Sequence, residues 1–226
     1  MLETIAWVSL IVAFLCAAVI VIDEIRRPQQ MAVMNIVWPV TALYLSVFGL
    51  WAYLHFGPRM AKGAQQSHQS MHDAERPPTL AQVALAASHC GAGCMIADVV
   101  TEFTLFGLGA TILGSVLWSE FVWDFVAAWL LGIVFQYFTI KPMRNLSVAE
   151  GIVAAIKADT LSILAFQVGM YGWMAIVYFL LFPAPHLHPN NPVYWLMMQG
   201  GMVLGFVTSC PMNRWIIGKG WKEKMG

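Results

Sequence analysis

LAQVALAASHCGAGCMIAD, residues 80–98, is the stretch whose reading decides how often this chain crosses a membrane. It is apolar enough to span a bilayer, yet it carries more reactive side chains than an ordinary span. Read as a helix, residues four apart share a face. Cys90, Cys94, Asp98 and, one turn further on, Glu102 then form a single stripe, with His89 flanking it and Thr101 beside its end. Gly91 and Gly93 each lower helix propensity by about 1 kcal/mol relative to Ala, and they let another helix or a ligand approach the backbone.

The surroundings of this stretch are those of a membrane protein. Of 226 residues, 59% are hydrophobic and 11% charged, and the mean hydropathy is +0.69; a soluble domain carries about a quarter charged residues. The formal net charge is zero, so nothing in the composition points to nucleic acid. Cys16 and Cys210 lie far in sequence from each other and from the Cys90/Cys94 pair, which is not a disulfide scaffold. The uncharged run from Thr4 to Ile22 lacks a basic leader and a small-residue cleavage site and is expected to be a retained transmembrane helix.

A helix needs about 20 mostly apolar residues to cross the hydrocarbon. Stretches 3–24, 33–56, 96–117, 120–140, 160–182 and 193–212 qualify, with Trp38, Trp51, Trp118, Trp123, Trp195 and Trp215 near their ends, where headgroup anchors are expected. FPAPHLHPNNP, 182–192, is a turn between two spans. The fold class expected is therefore all-α, a polytopic transmembrane bundle of six spans. With the start of the chain cytoplasmic, ten Lys and Arg lie inside and two, Arg26 and Arg27, outside. The alternative makes 80–100 a further span, for seven in all, and places nine basic residues inside and three outside. Both put the C-terminus in the cytoplasm.

A weak internal repeat favours six. IADVVTEFTLFG (96–107) is similar to KADTLSILAFQV (157–168), and TIKPM (139–143) to TSCPM (208–212). Two parallel units of this kind are a known way of building transporters. Residues 146–159 would then be a short cytoplasmic helix leading into a span, with 80–98 as its counterpart. The domain division expected is an N-terminal transmembrane hairpin at 1–57, a polar linker at 58–79 and a four-span core at 80–226. The linker's HQSMH cluster is most simply a set of polar residues in a solvated loop.

Thiolates and imidazole suit Cu(I) or Zn(II), and ionisable groups inside a span point to function. The spacing Cys-x-x-x-Cys puts the two Cβ atoms about 5–6 Å apart on a helix, wider than the roughly 3.5–4.5 Å a disulfide wants. It favours reduced thiols or a metal over a redox pair. The plain alternative is that two small cysteines pack in a core. Cys210-Pro211-Met212 closes the last expected span. Its Cys-Pro step resembles the ligand motif of copper- and zinc-pumping P-type ATPases, but the likeness covers three residues and the nucleotide-binding and phosphorylation domains have no counterpart. Met170, Met174, Met197, Met198 and Met202 read as core, Glu120 and Asp124 as a solvated interfacial pair, and His186 and His188 as surface residues of the external turn. Cys16 is alone in its span.

Ser88, His89, Cys90, Cys94 and Asp98 make an S-H-C-x-x-x-C-x-x-x-D segment, and Pro211, Asn213, Arg214 and Lys219 a Pro-x-Asn step with a basic tail. In these features residues 80–226 resemble an uncharacterised bacterial membrane-protein family of unknown function. The resemblance implies heavy-metal handling, often of copper, in the bacterial inner membrane.

The expected function is binding and translocation of a soft metal ion, Cu(I) before Zn(II). His89, Cys90, Cys94, Cys210 and Met212 would be the ligands, and Asp98 and Glu102 an ion or proton path. No G-x-x-x-x-G-K-[ST] motif is present, so movement would be passive, ion-coupled or partner-driven. A metallochaperone and a second copy of the chain are candidate partners besides the lipid bilayer. The rival readings are a membrane thiol oxidoreductase working with a quinone through Cys90/Cys94, and a non-catalytic scaffold subunit.

Overall fold

The structure is a computed structural model that describes residues 1–61, 77–144, 147–222 and 224. The 58–79 linker, with its HQSMH cluster, falls largely outside them. Within the described residues the chain is helical: α1 (Leu2–Arg26), α2 (Met34–Leu45), α3 (Val47–Phe56), α4 (Leu80–Leu108), α5 (Val116–Arg144), α6 (Val148–Ile176) and α7 (Pro192–Gly218). A single 3₁₀ turn, Gly57–Arg59, follows α3, and a π turn, Val177–Leu181, prolongs α6. Five helices, α1 and α4 to α7, are long and apolar enough to cross a membrane.

The expected helix over 33–56 is instead two. Ser46 takes φ 51°, a value that ends the helix ladder, and α3 folds back along α2. Trp38 and Tyr53 meet edge to face at 5.6 Å; on one straight helix, fifteen residues would separate them by about 22 Å. A Cβ on Gly49 would stand 2.9 Å from the Ala42 Cα, so the close approach of the two arms depends on that glycine. Gln30 N–H donates to the Met60 carbonyl at 2.9 Å, which puts the entry and exit of the hairpin side by side. Each arm, 12 and 10 residues, reaches about half of the roughly 30 Å hydrocarbon. Trp38, expected as a headgroup anchor, is buried in this hairpin, whereas Trp51, Trp118, Trp123 and Trp215 are about half exposed or more.

The expected span at 96–117 also shifts. Thr79 and Gln82 form a capping box, each side chain accepting from the other's backbone N–H, and the helix runs unbroken from Leu80 until Gly109 stops it in the left-handed conformation, φ 62°. Residues 80–98 are thus neither a separate span nor a separate entrance helix, but the first two-thirds of α4. Ser147 and Glu150 cap α6 in the same way, and the expected short helix at 146–159 merges into it. Proline does not end α7, which continues past Pro211 to Gly218.

Contacts fix the direction of each helix. Ser9 donates to Gln199 at 2.7 Å, so α1 and α7 start at the same end. Tyr53 donates to Asp23 at 2.8 Å, His89 meets Thr139 at 3.1 Å, and Lys222 reaches the Ala86 carbonyl at 3.2 Å. One end of the bundle therefore gathers the ends of α1, α3, α5 and α7 and the beginnings of α2, α4 and α6. The beginning of α1 and the end of α7 lie at opposite ends. Arg26, Arg27, Arg59, Lys141, Arg144, Lys157, Arg214, Lys219, Lys222 and Lys224, the ten basic residues among those described, all belong to the former end, called the basic end below.

The α6–α7 crossing is the tightest helix contact. A Cβ on Gly205 would come 2.7 Å from the Phe166 ring and 2.8 Å from the Phe166 carbonyl, whereas one on Gly93 would find its nearest neighbour at 3.7 Å. Gly205→Ala is expected to destabilise the protein by about 1–3 kcal/mol through overpacking, and Gly93→Ala, whose added methyl meets only ordinary contacts, to be neutral or to stabilise by up to about 1 kcal/mol through helix propensity. Thermal unfolding in detergent, compared between the two variants, checks both.

Candidate functional site

α4 is the axis of the molecule: 78% of its apolar window is buried, against 28% for α1 and for α5. Its stripe Cys90, Cys94, Asp98 and Glu102 faces inward along its whole length, each residue at most 2% exposed. The period of four seen in the sequence thus becomes a line of polar groups about 18 Å long through the bundle interior.

At the basic end the line begins with a compact network. The Cys90 Sγ lies 2.8 Å from the Ser162 Oγ and donates to the Asp159 Oδ1 at 3.3 Å. Ser162 donates to the Asn213 Oδ1 at 2.9 Å. The Lys222 Nζ, from the turn beyond α7, donates to the same Asn213 oxygen at 2.9 Å, to the Cys90 Sγ at 3.2 Å and to the Ala86 carbonyl at 3.2 Å. Four segments meet here, and each contributes a different donor or acceptor.

In the middle, Cys94 is fully buried among Met95, Phe166, Met170 and the hairpin residue Tyr44. The hairpin tip reaches this depth because Gly91 has no side chain: a Cβ there would stand 3.0 Å from the Tyr44 ring. Gln199 donates to the Leu43 carbonyl at 2.7 Å and holds the tip in place. Gln167, buried on α6, has neither side-chain polar atom in a hydrogen bond.

At the other end four carboxyls converge. Asp98 and Glu102 of α4 face Glu120 and Asp124 of α5, with the Tyr194 phenol of α7 beside Glu102. All four acids are buried. Both Asp98 oxygens and one oxygen each of Glu102 and Asp124 lack a hydrogen bond. A cleft lined by Glu120, Tyr178, His186, His188 and Tyr194 opens beside this cluster. His186 stacks on Tyr178 with ring centroids 3.7 Å apart and is tied by Nδ1 to the Phe182 carbonyl at 3.0 Å.

Of the residues singled out in the sequence, the structure brings Cys90, Cys94, Asp98 and Glu102 onto one interior face. It sets His89 on the adjoining face, with Nε2 3.1 Å from the Thr139 Oγ1 and the ring edge-on to Phe135. Cys210 donates to the Phe206 carbonyl at 3.2 Å and packs against the cluster of α1, the hairpin and α4. Met212 is half-buried nearby on α7. Among the described residues no three His, Cys, Asp or Glu are placed to hold a metal ion together. Glu120 and Asp124, read from the sequence as a solvated pair, are instead buried against α4, because α5 turns the face that carries them toward Glu102.

Asp159, Ser162 and Lys222 were not singled out as site residues by sequence reasoning, and Asn213 was named only as part of the Pro-x-Asn step. Asp159 is a lone acid after an apolar run and could have been flagged once α6 was read as one helix. Nothing local distinguishes Lys222 from the other lysines of its basic tail.

All four cysteines are free thiols. Alkylation of the unfolded protein without reductant is expected to label four sites; loss of two labels at Cys90 and Cys94 would reveal a disulfide and favour the oxidoreductase reading.

No curated protein and no solved structure matches the chain. Residues 79–222, from the cap of α4 to Lys222, match a family described as a domain of unknown function (DUF4396), and α1 to α3 lie outside the match. With that match over more than half its length, the chain belongs to the DUF4396 family.

Proposed function

We propose that this protein carries a cation across a bacterial inner membrane along the inward stripe of α4, and that the cargo is a soft metal ion, Cu(I) before Zn(II). The observation that carries the reading is the line Cys90, Cys94, Asp98 and Glu102, buried throughout and continued by Asp159, Ser162 and Asn213 at one end and by Glu120, Asp124 and Tyr194 at the other. Ionisable groups at this depth are costly and are kept for ion or proton passage. The carboxyl cluster beside the open cleft serves as the mouth, where the oxygens hold protons or an arriving cation. The two thiols, four residues apart, supply the soft donors that distinguish copper from a hard cation. In this reading the ion passes between pairs of ligands in turn. His89 and Cys210 with Met212 then flank the path and offer further soft donors as helices shift.

The same reading fixes the topology. Crossings by α1, α4, α5, α6 and α7, with α2 and α3 as a re-entrant hairpin, put the basic end in the cytoplasm under the positive-inside rule. The pairs α4–α5 and α6–α7 run in the same directions, and we take them as the two units of the weak repeat. Five crossings predict that a reporter ahead of α1 reads periplasmic while reporters at Gln66 and after Lys222 read cytoplasmic. A cytoplasmic signal ahead of α1 would return the count to six, and a periplasmic one at Gln66 to seven.

The transport test uses Ag(I) and Cu(I) uptake into proteoliposomes. The parent is expected to move metal faster than protein-free vesicles, and a Cys90→Ser, Cys94→Ser double variant to lose at least nine-tenths of that flux. Equal flux in parent and double variant, with both correctly folded, would remove the soft-metal assignment. Loss of flux in Asp98→Asn alone would assign the carboxyl to the path.

A further inference from the structure

The basic-end network contains a cation already, and it belongs to the protein. Lysine almost never lies fully inside a protein unless paired, and its stem ordinarily lets the ammonium reach water. Lys222 does the opposite: it is 2% exposed, and its three N–H donors end on the Ala86 carbonyl, the Asn213 amide oxygen and the Cys90 sulfur. None of these is a carboxylate. The one acid of the network, Asp159, accepts from Cys90 through Oδ1, and its Oδ2 has no hydrogen bond although the residue is fully buried. Gly132 leaves the space that this oxygen occupies, since any Cβ there would overlap it. The donors are therefore arranged around the ammonium as coordinating atoms are arranged around an ion stripped of water, with a free carboxylate oxygen in reserve.

We propose that Ala86 O, Cys90 Sγ, Asn213 Oδ1, Ser162 Oγ and Asp159 form a site for a monovalent soft cation, Cu(I) in kind, which Lys222 occupies as a tethered stand-in and plugs until the tail withdraws. Sulfur binds a metal as the thiolate, so the Cys90 proton passes to Asp159, whose Oδ1 already accepts it, and exchange of the ammonium for a monovalent ion then leaves the charge of the buried site unchanged. A divalent ion would add a unit of charge. Sulfur among oxygens favours a soft ion over sodium or potassium.

The attachment of the tail suits a plug. After α7, Gly220 adopts φ 68°, and this left-handed turn reverses the chain so that Lys222 points back into the bundle. Trp221 rests edge-on against Trp215 at 5.4 Å, with the Lys157 ammonium 4.1 Å from its ring centre. These are contacts at the surface of the basic end; the Trp221 N–H also donates to the Ile216 carbonyl at 3.1 Å, so swinging the segment about Gly220 breaks the ring contacts and one capping bond at the last turn of α7.

The inference rests on the transport reading for its meaning, but its test is a binding measurement. Purified full-length protein in chloride-free detergent buffer is titrated with Ag(I), a redox-stable probe for Cu(I). Lys222→Leu, which removes the ammonium without adding a soft donor, is expected to bind one further Ag(I) equivalent, or to bind Ag(I) at least tenfold more tightly than the parent, and Cys90→Ser or Asp159→Asn in that background to abolish the gain. A folded Lys222→Leu variant that binds no better than the parent would overturn the proposal, as would a gain that survives Cys90→Ser. A second measurement needs no variant: Lys222 of the parent should resist an amine-reactive reagent that labels Lys219, and should become labelled when Ag(I) is added. Labelling of Lys222 without metal, or continued protection once Ag(I) is bound at Cys90, would also overturn it. Gain of binding without vesicle flux would remove the transport reading and leave the site, whereas flux without the gain would do the reverse.

Discussion

The cost of placing ionisable side chains inside a bilayer governs this architecture. α4 carries Cys90, Cys94, Asp98 and Glu102 on one face and His89 on the next, and no arrangement that turns those faces to lipid is affordable. The helix must be wrapped by protein. α5, α6 and α7 cover the stripe, and each supplies polar groups where it does so: Asp124 and Glu120 from α5, Asp159 and Ser162 from α6, Asn213 and Tyr194 from α7. The remaining side is closed by the α2–α3 hairpin, whose apolar tip ends against Gly91 and Cys94. Exposed apolar side chains lie chiefly on α1 and on the outer faces of α5 and α6, the parts with no chemistry to protect.

Much of this was legible in the amino-acid sequence because it is local. The four-residue period of the stripe depends on helix geometry alone, and its inward orientation follows from the cost of burying charge in lipid. The turn at 182–192 is marked by its own prolines and asparagines. The hairpin was not legible, because 33–56 has the length and hydropathy of a span and its break depends on one residue, Ser46, whose φ is set by how α3 packs on α2. Glu120 and Asp124 read as solvated because their burial is decided by Glu102 and Tyr194, which are distant in sequence. Lys222 was invisible for the same reason: a basic tail has the same composition whether it lies in water or reaches 136 residues back in the chain to Ala86.

Resolving the hairpin also clarifies the charge pattern. A six-span reading sets Arg26 and Arg27 at the end opposite the other basic residues. Once 33–56 enters and leaves at one end, these two join the other eight basic residues described. The opposite end carries Glu120, His186 and His188 around its cleft and, among the described residues, no Lys or Arg. The long axis is therefore electrically polar, with carboxyls near one end and an ammonium seated at the other.

The central position of α4 also has a consequence for biogenesis. Its best window has a mean hydropathy of 1.6, against 3.0 for α1, and the helices that supply the polar partners of its stripe, α5 to α7, are all encoded after it. As the nascent chain emerges, α4 leaves the ribosome with its carboxyls unshielded, and the residues that complete its environment, Asp124, Asp159, Asn213 and Lys222, arrive in that order. The packing of α4 can therefore be completed only once α5 to α7 have been made, and a chain cut short before α7 would leave Cys90 without its partner Lys222 and Ser162 without Asn213.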